Sequence, residues 1–196
     1  MVGIGGRDLT LVRPRDAEAL LNEEAFEQEE FLPYWAELWP SAVALARFVG
    51  ARALRGARTL ELGCGLGLPS LAAVLAGGRV LATDWAPDAI AMTAENARRN
   101  GLDIETQIVS WTDPEPLLER APWDLVLASD VLYEARNGDA LLPLLPRLIA
   151  GGEIWLADPG RPAAGPFLER ARDAFTIDRR AAPEIPQGGV YRLRRR

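Results

Sequence analysis

A glycine-rich loop follows the first predicted strand of the chain. Residues 61–67 read Glu-Leu-Gly-Cys-Gly-Leu-Gly, and glycines let a backbone turn sharply and approach a ligand closely. Asp84 ends the next predicted strand, 21 residues after Gly63, where a carboxylate can accept hydrogen bonds from both hydroxyls of a ribose. Position 68 is leucine, so the third glycine of the dinucleotide fingerprint is absent. These features predict a nucleoside-binding loop that departs from the NAD-binding pattern. The alternatives are an NAD-binding loop and a tight turn beside a surface aspartate.

A second pair of side chains, Asp130 and Tyr133, follows the predicted strand 124–129. The carboxyl end of a central strand is where parallel sheets bind their ligands. A carboxylate there would attract an ammonium group, and an aromatic ring would hold it. The pair therefore predicts a site for an amine acceptor, in which positioning supplies much of the rate. The alternative is that Asp130 caps the helix that follows.

The composition excludes several classes of chemistry. All 22 basic residues are arginines, the chain has no lysine or histidine, and Cys64 is its only cysteine. Schiff-base catalysis, a Ser-His-Asp triad, an internal disulfide and a metal site of histidines or several cysteines are therefore excluded, and no metal is expected. Cys64, between two glycines, is expected to pack as a small residue rather than act as a nucleophile. The net charge of −6 argues against a nucleic-acid partner.

Strand and helix patterns alternate from Thr59 onward. The predicted strands are 59–62, 79–83, 104–109, 124–129, 153–157, 175–179 and 190–193, and the predicted helices are 41–49, 69–75, 87–99, 137–149 and 167–174. Such alternation predicts an α/β protein with a mostly parallel sheet covered on both faces. The last two strands are expected to close the sheet as an antiparallel pair.

The length of 196 residues fits a single domain, in which residues 1–38 would form an N-terminal helical extension or lid. The acidic stretch 16–30 within it is predicted to be a helix or a mobile arm. Ser41 is expected to cap the first core helix, and Pro143 and Pro146 are expected to break or kink the helix over 137–149. No apolar run approaches the roughly 18 residues that a membrane span needs. Without a signal peptide either, the chain is expected to be cytoplasmic and to have no membrane partner.

The glycine loop and Asp84 together resemble the class I methyltransferases that use S-adenosyl-L-methionine, over roughly residues 40–160. The resemblance implies a three-layer Rossmann-like sandwich, with a mostly parallel seven-stranded sheet and an antiparallel closing strand. Asp84 would bind the ribose, Trp85 and Trp111 would flank the adenine, and Glu61 would hold the loop and reach the amino group. The full set of implied cofactor-binding residues is Trp39, Glu61, Gly63, Cys64, Gly65, Gly67, Asp84, Trp85, Ser110, Trp111 and Ser129. Core packing is the alternative for both tryptophans.

Three further stretches resemble protein-lysine methyltransferases. Asp130 and Tyr133 match a D/E-x-x-Y/F motif of that group and would be the catalytic pair. The segment 33–40, Pro-Tyr-Trp-Ala-Glu-Leu-Trp-Pro, and the turn 158–161, Asp-Pro-Gly-Arg, resemble the electron transfer flavoprotein β-subunit lysine methyltransferases. The resemblance implies that Glu37, Asp158 and Arg161 bind the acceptor; the alternative for the second stretch is a simple turn. The loop Gly-Cys-Gly-Leu-Gly-Leu-Pro-Ser departs from that family, which leaves the protein substrate open.

The sequence thus predicts a protein-lysine N-methyltransferase that uses S-adenosylmethionine, releases S-adenosylhomocysteine and works as a monomer. The β subunit of an electron transfer flavoprotein is the expected protein partner. One alternative is a methyltransferase for a small amine or metabolite on the same fold. The other is a non-catalytic, cofactor-binding interaction module.

Overall fold

The computed structural model describes residues 1–15 and 34–196 of the chain. Nine strands are present in this part: β1 (Val2–Ile4), β2 (Arg7–Leu9), β3 (Arg58–Leu62), β4 (Arg79–Asp84), β5 (Glu105–Ile108), β6 (Leu125–Ser129), β7 (Glu153–Asp158), β8 (Phe175–Arg180) and β9 (Gly189–Arg195). Its α-helices are α1 (Pro40–Gly50), α2 (Leu68–Leu75), α3 (Pro87–Arg99), α4 (Glu115–Leu118), α5 (Ala135–Leu148) and α6 (Ala164–Ala171). The predicted helix or arm over 16–30 lies outside the described residues.

The central sheet has seven strands in the order β5-β4-β3-β6-β7-β9-β8. The first five of these run parallel, whereas β9 is inserted between β7 and β8 and is antiparallel to both. The predicted α/β sandwich, with its antiparallel closing strand, is therefore confirmed. The strand order reverses between β3 and β6, and this is the point at which such sheets bind ligands.

Successive apolar side chains of the central strands point to opposite faces of the sheet, and a layer of helices covers each face. Leu60 and Val126 pack with α5 and α6 on one side, whereas Leu127 packs with α1 on the other. Four of the described helices, α1 to α4, have proline at one of their first two positions, which suits its fixed φ and missing N–H. Among the described helices, none combines the length and apolar character that crossing a bilayer requires.

Helix α5 differs from its prediction, because it continues through Pro143 and Pro146. The two prolines remove backbone hydrogen bonds, but the helix keeps a buried stripe that packs against the sheet, formed by Leu141, Leu144, Leu145 and Leu148. Packing of these leucines against the sheet thus outweighs the helix-breaking tendency of the two prolines.

The N-terminal residues also differ from the predicted helical extension where they are described. Strands β1 and β2 form an antiparallel hairpin, and Ile4 and Leu9 are buried against Leu68 and Leu71 of α2. Tyr34–Ala36 forms a single 3-10 turn that leads into α1. The hairpin therefore packs on the helix that follows the glycine-rich loop.

Candidate active site

A cavity of about 420 Å³ opens at the carboxyl ends of β3, β4 and β6. Its walls include most of the residues predicted for the site: Glu37, Trp39, Gly63, Cys64, Gly65, Gly67, Asp84, Trp85, Ser110, Trp111, Ser129, Asp130, Tyr133 and Arg161. The predicted cofactor and acceptor residues therefore share one space. Its volume falls within the range of about 300–1,000 Å³ that is usual for sites of drug-sized ligands.

The glycine loop, residues 63–67, connects β3 to α2. Gly67 has φ of +80°, and a Cβ there would lie 2.7 Å from the Thr93 side chain, so the turn accepts no larger residue without a shift. Cys64 is buried, and burial raises the pKa of its thiol well above the usual value. The thiol is therefore a packing group, as predicted from its neighbours.

Asp84 closes β4 directly beside this loop. Its Oδ2 accepts a hydrogen bond of 3.0 Å from the Gly65 N–H, and its Oδ1 accepts one of 3.0 Å from the Ala86 N–H. Burial raises the pKa of Asp84, while these N–H groups act in the opposite direction. Since an ionised carboxylate has about four acceptor positions, Asp84 keeps capacity for hydroxyl donors in the cavity.

Aromatic side chains flank the same part of the cavity. Trp85 is 44% exposed although it directly follows a buried strand, and the ring of Trp111 lies beside Gly63. The Ser110 and Thr112 hydroxyls are hydrogen-bonded to each other at 2.8 Å at the rim. Both indoles thus line the cavity, where each could pack against a planar ring.

Asp130 occupies an unusual backbone conformation at the end of β6, with φ of +60°. Its Oδ2 accepts a hydrogen bond of 3.0 Å from the Ser41 hydroxyl, and its Oδ1 accepts one from Nε of Arg161. Helix α5 starts later, with Glu134 at its N-cap position, so the helix-cap alternative for Asp130 is wrong. A non-glycine residue at positive φ is strained, and such strain is commonly found at functional sites.

Ser41 is not a helix cap either. Pro40 already starts α1, and Ser41 lies fully buried in the first turn, where it holds Asp130. Sequence reasoning missed this role, since a serine before an apolar stretch has the same local pattern as a cap.

Tyr133 forms an aromatic wall with two residues of the segment before α1. The rings of Tyr133 and Tyr34 have centroids 5.1 Å apart, and those of Tyr34 and Trp39 are 6.3 Å apart. The guanidinium of Arg161 lies 5.5 Å from the centre of the Trp39 ring. Burial raises the pKa of the Tyr133 phenol. Tyr34 was absent from the predicted site, although it lies in the segment that carried the resemblance.

Two predicted site residues do not line the cavity. Asp158 is fully buried, and its Oδ1 accepts hydrogen bonds from the N–H groups of Gly160 (2.7 Å) and Arg161 (2.8 Å). It therefore shapes the turn that carries Arg161 rather than meeting an acceptor, and burial raises its pKa.

Glu61 is also fully buried, and its Oε2 accepts hydrogen bonds from the backbone N–H and the hydroxyl of Ser70. It fixes the start of α2 behind the glycine loop, and burial raises its pKa to about 8.

Among the described residues, the carboxylates predicted for the acceptor site are paired or buried rather than free. Glu37 forms an ion pair with Arg13, and Asp130 forms one with Arg161. Glu134, which also lines the cavity, is paired with Arg136. Because Asp158 is buried as well, the described rim presents paired charges and aromatic rings beside the Ser110 and Thr112 hydroxyls.

The fold, with its cavity at the carboxyl ends of the central strands, is the one found in methyltransferases that use S-adenosylmethionine as methyl donor. A solved structure of this fold, a ribosomal protein L11 methylase from Lactobacillus delbrueckii subsp. bulgaricus, superposes with a TM-score of 0.60 and 27% identity, covering 78% of this chain and 77% of that one.

The family model for lysine methyltransferases matches residues 25–158, and the chain belongs to this family. It is 35% identical over 137 residues to the electron transfer flavoprotein β-subunit lysine methyltransferase of Xenopus laevis, covering 66% of this chain and 53% of the relative. It is also 32% identical over 117 residues to the histone-arginine methyltransferase METTL23 of Xenopus laevis, covering 56% and 49%. The chain thus spans about half the length of these curated relatives.

Proposed function

We propose that this protein transfers a methyl group from S-adenosylmethionine to the ε-amine of a lysine in a protein substrate. The observation that carries the proposal is that Asp130 and Tyr133 open into the same cavity as Asp84 and the glycine loop. A methyl donor and an amine acceptor would therefore meet in one space, which is what a direct transfer requires.

The residues present fit S-adenosylmethionine. Asp84 would accept hydrogen bonds from the ribose, Trp85 and Trp111 would enclose the adenine, and the glycine loop would border the methionine part. When bound, S-adenosylmethionine supplies a methyl carbon made electrophilic by its sulfonium sulfur. Glu61 supports this site from behind by fixing the start of α2.

Asp130, Tyr133 and Tyr34 would receive the acceptor. Ser41 and Arg161 hold the Asp130 carboxylate in one orientation, and its remaining lone pairs can accept a hydrogen bond from an amine. A lysine amine has a pKa of about 10.4, so it must first lose a proton to water. Its nitrogen lone pair then forms the N–C bond, while the C–S bond breaks and its electron pair stays on sulfur.

We propose the β subunit of an electron transfer flavoprotein as the protein substrate. The support is the similarity of the chain to relatives that carry this name, and the position at the cavity of Tyr34, Trp39 and Arg161, which belong to the two resembling stretches. Trp39 and Arg161 are in contact there, so the two stretches form one wall. A small amine and an arginine side chain are the competing acceptors. A monomeric state and a cytoplasmic location belong to the proposal and rest on the sequence.

The test compares Asp130→Ala with Asp139→Ala. Each change removes an aspartate that pairs with an arginine, but the Asp139–Arg170 pair is exposed on α5 and α6 and does not line the cavity. With recombinant flavoprotein and labelled S-adenosylmethionine, we expect Asp130→Ala to lose methyl transfer and Asp139→Ala to keep it. Both variants should bind S-adenosylmethionine in calorimetry. Equal turnover by the two variants would remove Asp130 from the acceptor site.

A further inference from the structure

Helix α3 holds the outer side of the glycine loop through two buried side chains. The Thr93 hydroxyl donates to the Gly65 carbonyl at 2.9 Å, and Nδ2 of Asn96 donates to the Leu66 carbonyl at 3.0 Å. Both side chains are fully buried. Two successive carbonyls of the loop are thus bound from behind, and this fixes the orientation of the peptide groups that border the cavity.

The same helix also holds an N-terminal segment, residues 10–13. Oδ1 of Asn96 accepts the Val12 N–H at 2.7 Å, and its Nδ2 donates to the Val12 carbonyl at 3.1 Å. Oδ1 of Asn100 accepts the Thr10 N–H at 3.0 Å, and its Nδ2 donates to the Thr10 carbonyl at 2.8 Å. Two asparagines one turn apart therefore pair with alternate residues of the segment, as a neighbouring strand would.

Asn96 differs from Asn100 in one respect. Its amide bonds both the N-terminal segment and the glycine loop, whereas Asn100 bonds the segment and its own helix. An asparagine amide has only two N–H donors, so the donors of Asn96 are divided between Val12 and Leu66. The segment therefore helps to fix the position of the Asn96 amide. The Asn96 amide in turn fixes the orientation of the Leu66 carbonyl in the glycine loop.

We propose that Asn96 is a positioning residue through which the N-terminal segment controls the affinity of the glycine loop for S-adenosylmethionine. The segment continues to Arg13, which pairs with Glu37 at the cavity rim, so it runs from the back of the loop to the entrance. The inference rests on the proposed function for the identity of the ligand. Residues outside the cavity would then set the affinity for S-adenosylmethionine.

Two matched pairs of variants test this coupling. Asn96→Ala and Asn100→Ala each release one residue of the segment, but only the first releases the loop. Val12→Pro and Thr10→Pro each remove one backbone N–H that an asparagine accepts, and neither changes an atom of the loop or the cavity. The proline pair keeps the test usable if a buried alanine prevents folding.

The measurements are the Kd for S-adenosylmethionine by calorimetry and the midpoint of thermal unfolding. We expect Asn96→Ala and Val12→Pro to raise the Kd about tenfold, the loss of roughly one hydrogen bond or about 1.4 kcal/mol. We expect Asn100→Ala and Thr10→Pro to stay within about twofold while lowering the unfolding midpoint to a similar extent.

Equal Kd values within each pair would overturn the inference and leave Asn96 as a structural anchor. Failure of the wild-type protein to bind S-adenosylmethionine would instead overturn the proposed function, so the two outcomes are distinguishable.

Discussion

Replacing Ser41 by alanine deletes the hydroxyl that holds Asp130 and leaves every other contact of the carboxylate in place. The bond is 3.0 Å long, both partners are buried, and the acceptor is a carboxylate. Hydrogen bonds to charged groups contribute about 1.5–3 kcal/mol. If this bond serves the orientation of Asp130 toward the acceptor, kcat should fall about 10- to 100-fold at saturating S-adenosylmethionine.

Ser70→Ala is the matched control, because Ser70 is also a buried serine bonded to a buried carboxylate, Glu61, which does not line the cavity. Steady-state methylation of the flavoprotein gives kcat, and calorimetry gives the Kd for S-adenosylmethionine; the two variants should differ in which of these values changes. Ser41→Ala should lower kcat with an unchanged Kd for S-adenosylmethionine, whereas Ser70→Ala should act on stability and on that Kd. If Ser41→Ala keeps the wild-type kcat, the orientation of Asp130 does not control the reaction.

Three further predictions concern the cavity and its support. Glu61 has a pKa of about 8 in the folded protein against a usual value of 4.5, so its contribution to stability is present below pH 4.5 and is lost as the pH rises toward 8. In this window, urea unfolding should show that the free energy of unfolding of the wild type falls by up to about 1.4 kcal/mol per pH unit more than that of Glu61→Gln. The exposed Glu119→Gln is the control and should follow the wild type. Asp84→Asn should raise the Kd for S-adenosylmethionine about 10- to 100-fold in calorimetry, and an unchanged Kd would contradict the ribose assignment. The chain has no lysine, so the protein incubated alone with labelled S-adenosylmethionine should acquire no side-chain label; label on an arginine would show a different acceptor chemistry.

The layered fold and the meeting of the glycine loop, Asp84 and Asp130 at one cavity followed from local patterns. The strand before the glycine loop, the proline-started helices and the acidic residue after β4 each carry a signal within a few residues. Their relative positions then follow from the rule that parallel strands bring their carboxyl ends together. Gly63, Asp84 and Asp130 could therefore be placed in one site from the sequence.

The remaining features depend on contacts between residues distant in sequence. Ser41 and Asp130 are 89 positions apart, and Asn96 and Val12 are 84 apart, so no local pattern reveals either bond. Asp158 was assigned to the acceptor because the Asp-Pro-Gly-Arg turn resembles that of the flavoprotein lysine methyltransferases, but the turn folds its carboxylate inward onto two N–H groups. Helix α5 survives its two prolines because burial of its leucines outweighs the lost hydrogen bonds.

If the cavity brings a methyl donor to a lysine of a protein, the modified lysine can be located in the protein substrate. The purified protein would be incubated with S-adenosylmethionine carrying a deuterated methyl group and with the electron transfer flavoprotein from the same organism. Peptide mass spectrometry would then locate the label. We expect deuterated methyl groups on a lysine of the β subunit, and none when Asp130→Ala replaces the wild type. Label on an arginine, or on a small amine with the flavoprotein unmodified, would contradict it.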